Sequence, residues 1–337
     1  MGKDTLMGKT VKEYLDKFPN TASKTVATII FKAHPQLFRD IEHARGIVRR
    51  VRGAAGGKSR REISDTSRYR ITDTFNPFDL PEPTPDHEVF PFELPKQHKN
   101  ILIMSDLHLP FHSVPAITVA LEYGVKQKVD SIILLGDVFD FFAVSRFAND
   151  PRKRDLGREI ESGRQFLADL KKIFPKAKIY FKLGNHEDRW ERYLWVRAPE
   201  LVGVEIFEFW NIFEFEKHDI QYIHNRSEIH IGNNFCALHG HEFQFSAYSP
   251  VNPARGLYLR YKENAICGHF HRPSHHTEKS GRDKIKATWS LGCLCLLRPL
   301  YATQNAWLHG YAHLVRDTDD GFHLRNYTIV KNKAYES

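Results

Sequence analysis

From Asn100 onward, short aliphatic runs alternate with longer stretches whose apolar residues recur every three or four positions, the spacings of strands and amphipathic helices. They predict a strand over 101–105, a helix over about 114–128, a strand over 131–135, a helix over about 157–173 and a strand over 178–183. Shorter alternating segments follow near 220–224, 227–231, 234–238, 264–267, 284–289, 307–315 and 322–330, with a mostly helical 252–263 between two of them. Parallel β-α-β units followed by antiparallel strands fit an α/β fold of two sheets packed face to face with helices outside.

The N-terminal pattern is different. Residues 10–53 read as three short helices: Thr10 is a candidate cap for the first, Pro19 and Asn20 stop it, Thr21 or Ser23 starts the second, and the third ends at Gly53. In the third, Ile41, Ala44, Val48 and Val51 share one face at helical spacing, which predicts a buried stripe. Arg45, Arg49 and Arg52 form a second stripe about a quarter turn away. From Ala44 through Arg61 there are seven Lys/Arg and no acidic residue, Lys58, Arg60 and Arg61 among them. This module resembles helix-turn-helix units in outline and offers DNA or RNA phosphates a basic face; a solvated helix face is the other reading. Residues 58–97 carry NPF, LPEPTP and FELP, and proline at that density excludes a regular helix or a central strand. The expected organisation is a basic helical module over 1–57, a linker over 58–97 and an enzyme domain over 98–332.

Polar blocks stand directly after the predicted strands. Asp106 and His108 follow ILIM, Asp137 and Asp140 follow IILL, and Asn185 and His186 follow FKLG; LHGH (His239, His241) and GHFH (His269, His271) come later. In open α/β sheets, sites form beyond the carboxyl ends of the strands. A mixed Asp/His/Asn donor set suits Mn, Fe, Zn or Ni.

In this order the blocks resemble those of the calcineurin-like metallophosphoesterase superfamily, from roughly Asn100 to Pro273, and the architecture resembles that of proteins carried by phages and prophages. The resemblance implies a four-layer αββα sandwich and two divalent metal ions, manganese favoured. Asp106, His108 and His271 would hold one ion and Asn185, His239 and His269 the other. Asp137 would bridge them, screening their repulsion at a separation of about 3.5–4 Å, while the ions clamp the phosphate and activate a shared water. His186 would point at the phosphoryl or leaving-group oxygen as donor or general acid, and Asp140, three residues past the bridging Asp137, would orient it. His241 competes with His239. Glu187 and Asp188 read either as partners of the ligand imidazoles or as a solvated helix start, and His112, His275 and His276 as structural or exposed.

Composition narrows the remaining choices. The chain has 337 residues, 41% hydrophobic and 12% aromatic, enough for one large core and a small module. LGCLCLL, residues 291–297, is too short to span a membrane. No charged-then-apolar leader opens the chain. Cys236, Cys267, Cys293 and Cys295 lie in apolar runs without CxxC spacing and read as reduced core residues of a cytoplasmic protein. A net charge of +8 favours an anionic partner.

Protein phosphatases of the superfamily follow GDxxD with Arg-Gly, whereas Phe141 and Phe142 stand here. These aromatics, with Arg146, Arg152, Arg154, Arg189 and Arg192 in flanking segments, could stack a base and hold a phosphate, or be ordinary core and surface residues. The stretch from Phe141 to Arg164 reads as a substrate loop. The leading expectation is a phosphodiesterase or nuclease acting on nucleic acid or nucleotides. The alternatives are a phosphomonoesterase with a basic partner-binding module and a DNA-binding regulatory protein with a degenerate enzyme domain.

Overall fold

The computed structural model describes residues 6–19, 21–52, 81, 89–147, 150–243, 251–279, 283–299, 302–317 and 321–336. The chain divides into Met1–Asp86 and His87–Ser337. Lys58, Arg60, Arg61 and most of the expected linker lie outside the described residues.

The N-terminal unit contains α1 (Leu6–Lys17), α2 (Ser23–Ala33) and α3 (Ile41–Val51). Ala44 and Val48 of α3 are buried against Val11, Val26, Ala27 and Ile30, with Ile41 and Val51 partly buried beside them, as the stripe predicts. Asp40 caps α3, its Oδ1 accepting from His43 N at 2.7 Å. Two expectations change. Thr10 lies inside α1 and donates its hydroxyl to Leu6 O at 3.1 Å instead of capping the helix. Arg52 is not available for phosphates: its guanidinium donates to Ser23 Oγ at 3.0 Å, Thr21 O at 2.5 Å and Pro19 O at 3.1 Å, satisfying carbonyls of the α1–α2 turn. Arg45 pairs with Glu42 at 3.2 Å, while Arg49 is exposed.

Hydrogen bonds to a charged donor contribute about 1.5–3 kcal/mol. Arg52→Ala should therefore destabilise the N-terminal unit by about that amount, seen as earlier denaturant unfolding. Arg49→Ala should change stability by less than about 0.5 kcal/mol. Equal effects would refute the structural role of Arg52.

The second unit has two sheets. The seven-stranded sheet contains β2 (Asn100–Met104), β3 (Ser131–Leu135), β4 (Lys178–Lys182), β5 (Ile220–Ile223), β11 (His309–Arg316), β12 (Phe322–Val330) and β13 (Lys333–Glu336), in the order β13-β12-β11-β2-β3-β4-β5. The six-stranded sheet contains β1 (Phe92–Glu93), β6 (Ile229–His230), β7 (Cys236–Leu238), β8 (Ala265–Cys267), β9 (Ser274–Lys279) and β10 (Ile285–Ser290), in the order β1-β6-β7-β8-β10-β9. Strands β2 to β5 are parallel to one another.

The period of two along each strand sorts side chains into layers. Ile101, Ile103, Ile133, Leu135 and Tyr180 face Ile229, Ala237 and Ile266 between the sheets. Leu102, Met104, Ile132, Leu134 and Phe181 face outward under α4 (Val114–Gln127) and α5 (Leu156–Ile173), whose Ile117, Ala120, Leu167 and Leu170 cover them. On the other side, Cys236, Leu238, Ala265 and Cys267 pack beneath Leu257 of α6 (Pro253–Tyr261). The result is the four-layer αββα arrangement.

Three boundaries differ from the sequence reading. Phe92 and Glu93, expected in the linker, pair with β6, and β13 extends past residue 332. The stretch expected as a substrate loop contains the short 3-10 turns Phe142–Val144 and Pro151–Lys153 and, from Leu156, the start of α5. The four cysteines are buried and form no disulfide. Among the described residues, no helix is long and apolar enough to cross a membrane.

Candidate metal centre

Parallel pairing brings the ends of β2, β3 and β4 to one edge of the seven-stranded sheet, and the segments after β7 and β8 reach the same place from the other sheet. The backbone reverses sharply there. Asp106, His108, Asp137, His269 and His271 have φ of 57°, 51°, 52°, 67° and 56°. The left-handed region costs a residue with a side chain about 1–3 kcal/mol, and such strain clusters at functional sites. Close approach also demands glycine: a Cβ on Gly184 would strike Asp137, and one on Gly268 would strike Ser105 and Asp106.

Six of the expected donors meet in two groups. Asp106 Oδ1 lies 3.1 Å from His271 Nε2, which lies 3.2 Å from His108 Nε2. Asp137 Oδ2 lies 3.2 Å from His239 Nε2, and Asp137, His239 and His269 place donor atoms within 4.8 Å of one another. Asp137 Oδ1 accepts from His186 N at 2.9 Å. The seventh donor, Asn185 Oδ1, is buried without a hydrogen-bond partner, as are His239 Nε2 and His269 Nδ1. Buried polar atoms ordinarily have partners, and acceptors left open in this way fit a cation.

Several ring orientations are fixed from behind. His239 Nδ1 donates to Leu135 O at 2.7 Å, leaving Nε2 with its lone pair, and His108 Nδ1 lies 3.1 Å from Asp140 Oδ2. This backing by a carbonyl or carboxylate is what metal-binding imidazoles use. In His186 both nitrogens are engaged: Arg189 Nη2 donates to Nε2 at 2.9 Å, so Nδ1 carries the proton and donates to Asp140 O at 3.0 Å. Burial lowers His186 to about 3, so the ring is neutral, its one N–H is held by Asp140 and its other nitrogen holds Arg189: these surroundings suit a positioning side chain and fit neither a ligand nor the expected general acid.

The carboxylates polarise the site. Burial opposes charge on Asp106, but His271 beside it holds the carboxyl down to about 2. Burial likewise disfavours charged His239 and His271, yet Asp137 and Asp106 respectively lift each to about 10, so each carboxylate holds a ring proton that a bound cation would replace, freeing the Nε2 lone pair. Burial dominates at His269 and lowers it to about 4.

Supporting residues emerge that the sequence reading missed or placed elsewhere. Glu187 holds no imidazole; it accepts from Gly184 N at 2.7 Å, Phe139 N at 2.9 Å and Asp137 N at 3.0 Å, tying two ligand loops together. Asp188 accepts from Asn225 Nδ2 at 2.6 Å. Glu242 accepts from His239 N at 3.0 Å and Gly240 N at 2.5 Å and pairs with the fully buried Lys182 at 2.8 Å. The signal for Lys182 was available: it is in phase with Tyr180, so the strand period aims its charge between the sheets.

Other candidates disperse. Phe141 is buried against Phe213 and Trp190 and cannot stack a base, and Phe142 packs on Phe111. Arg152 pairs with Asp150 and Arg192 with Asp188. Arg189 stands in the site, its Nη1 donating to Asp140 O at 2.8 Å. His275 stacks on Trp289, His276 faces Glu278, and His112 is half-buried beside Cys295.

His241 remains the competitor of His239. Its Nδ1 is also buried without a partner, 3.7 Å from Glu242 Oε2. Gly240, with φ of 119°, turns the chain between the two histidines. His239→Ala should lose metal and activity while His241→Ala keeps most of both. Elemental analysis with turnover of a chromogenic ester checks this, and the reverse result moves the ligand to His241.

Residues 99–287 match the family Calcineurin-like phosphoesterase, more than half of the chain. The chain belongs to this family and is a metal-dependent phosphoric ester hydrolase; the family typically binds two divalent metals. It is similar to Gene 54 protein of Mycobacterium phage L5, 25% identical over 240 residues that cover 67% of this chain and 91% of that protein. A phage protein is thus among its relatives. Among solved structures, Vacuolar Protein Sorting 29 from Cryptosporidium parvum is 12% identical, with a TM-score of 0.38, covering 71% of this chain and 96% of that one. Yfce, a phosphoesterase from E. coli, is 16% identical, with a TM-score of 0.32, covering 67% of this chain and 97% of that one. Likeness at these scores adds nothing to the assignment, which rests on the family match.

Proposed function

We propose that the chain is a di-metal phosphodiesterase acting on nucleic acid or nucleotides, with Asp106, His108 and His271 holding one ion, Asn185, His239 and His269 the other, and Asp137 between them. The observation that carries the reading is the convergence of these donors at one sheet edge, with three of their buried acceptor atoms left open. Manganese is the favoured metal. Bound divalent ions at such a site supply Lewis acidity toward the phosphate and a water acidic enough to attack at neutral pH.

The chain's own residues do the rest. Asp140 fixes His108 from behind and, through its carbonyl, the ring of His186. Arg189 is anchored on the same carbonyl and presents a permanently charged guanidinium beside His186. Arg189, positioned by His186, supplies the donors for charge developing on phosphoryl oxygen. Glu187 and Glu242 hold the loops in register from beneath.

Diester specificity is supported by the absence of Arg-Gly after Asp140 and by the basic α3 with exposed Arg49 and Arg50. Arg189 favours a second reading, a phosphomonoesterase, because arginine grips a dianionic phosphate well. The deciding experiment is turnover of bis(p-nitrophenyl) phosphate against p-nitrophenyl phosphate with Mn²⁺, together with nucleic-acid binding by the full chain and by a chain lacking residues 1–57. The proposal expects preference for the diester and weaker binding without the module. If Arg45 and Arg49 meet phosphates, replacing both by Ala should reduce the slope of log K against log salt by roughly 0.7–0.9 per contact. Preference for the monoester, with unchanged binding after truncation, would favour the second reading.

A further inference from the structure

A second group of metal-binding side chains lies on the outer face of the six-stranded sheet. Strand pairing sets Glu93 opposite His230 and His230 opposite Cys236, a row across β1, β6 and β7. Glu228, two residues before His230, shares that face. Cys236 packs in the layer under α6, near Tyr261. The group is at the start of β7, whereas His239 follows its end.

Glu228 Oε2 is the hub. It lies 3.2 Å from His230 Nε2 and 3.8 Å from Cys236 Sγ, and accepts from the Tyr261 hydroxyl at 2.9 Å. His230 Nδ1 lies 2.9 Å from Glu93 Oε1. The donor atoms of Glu228, His230 and Cys236 are all within 4.8 Å of one another.

We propose that Glu228, His230 and Cys236 bind one zinc ion in a tetrahedral site separate from the phosphoesterase centre. Zinc bonds of about 2.0–2.3 Å at tetrahedral angles set neighbouring ligand atoms roughly 3.3–3.8 Å apart, and the two separations from Glu228 Oε2 bracket that range. His230 Nδ1–H donates to Glu93, leaving Nε2 to the metal, the carboxylate-histidine-metal arrangement. Thiolate, imidazole and carboxylate together suit zinc. On binding, Cys236 releases its thiol proton to solvent and the thiolate becomes the ligand; a water or the Tyr261 hydroxyl fills the fourth position. Without a cation, burial and the nearby Glu228 push the Cys236 thiol up, so the proton stays on sulfur. The site would staple β6 to β7 and, through Glu93, order the short strand β1.

Cobalt reports the thiolate directly. The full chain loaded with Co²⁺ should show thiolate-to-cobalt charge-transfer absorption in the near ultraviolet. Cys236→Ser should abolish it, Cys295→Ser should retain it, and Glu93→Gln should weaken cobalt affinity about 10- to 100-fold. Diester turnover should be unchanged in the Cys236 and Glu93 variants. No thiolate absorption in the unmodified chain would overturn the proposal, as would absorption that survives Cys236→Ser or vanishes in Cys295→Ser, which would locate the thiolate beside His271. If Cys236→Ser fails to fold, His230→Gln and Glu93→Gln carry the test through the cobalt titration midpoint, and an unchanged midpoint in both overturns it.

Discussion

Replacing Asp137 with Asn is expected to abolish hydrolysis and to lower the metal content of the purified chain. The residue is 1% exposed, and its two side-chain oxygens face different partners, Oδ2 toward His239 Nε2 at 3.2 Å and Oδ1 toward His186 N at 2.9 Å. An amide has nearly the same shape, so the His186 N–H keeps an acceptor and the loop has no steric reason to move. What disappears is the negative charge that offsets the repulsion of two cations. Circular dichroism should therefore match the parent chain while elemental analysis and turnover both fall. Full metal content with activity near the parent level would refute Asp137 as the bridge.

His186→Ala is expected to leave metal content near the parent level while kcat falls by roughly 10² to 10⁴, the usual worth of a transition-state donor, because Arg189 loses the ring that positions it. The geometry separates the two histidine roles. His239 has one nitrogen held by a carbonyl and the other open, whereas both nitrogens of His186 are engaged, by Arg189 at 2.9 Å and Asp140 O at 3.0 Å. Removing the ring frees Arg189 from one of its anchors. It takes nothing from the ligand set. Metal loss equal to that of the Asp137 variant would show that His186 is a ligand.

These expectations grow from features that were partly readable in the chain. The strands before Asp106, Asp137 and Asn185 are continuous aliphatic runs because both faces of the seven-stranded sheet are buried, and such runs announce themselves. The blocks proposed as ligands were legible because their polar residues sit immediately after those runs. Elements with little burial were not: β9 has mostly exposed side chains, and β1 is two residues long and held by backbone pairing. Helical periodicity placed Arg52 on a polar face without showing that the α1–α2 turn would meet it there. Phe141 looked available beside the site, but its φ of 51° and its contacts carry it into the core. Glu187 and Glu242 could not be assigned at all from local spacing, since their partners are backbone N–H groups brought close only by the fold.

The most direct measurement is electron paramagnetic resonance of the full chain loaded with Mn²⁺. Two ions bridged by one carboxylate at about 3.5–4 Å are exchange-coupled, so the account predicts a coupled-pair spectrum that grows in step with turnover as manganese is added and is absent in the Asp137→Asn chain. An active protein that shows only magnetically independent manganese would contradict it.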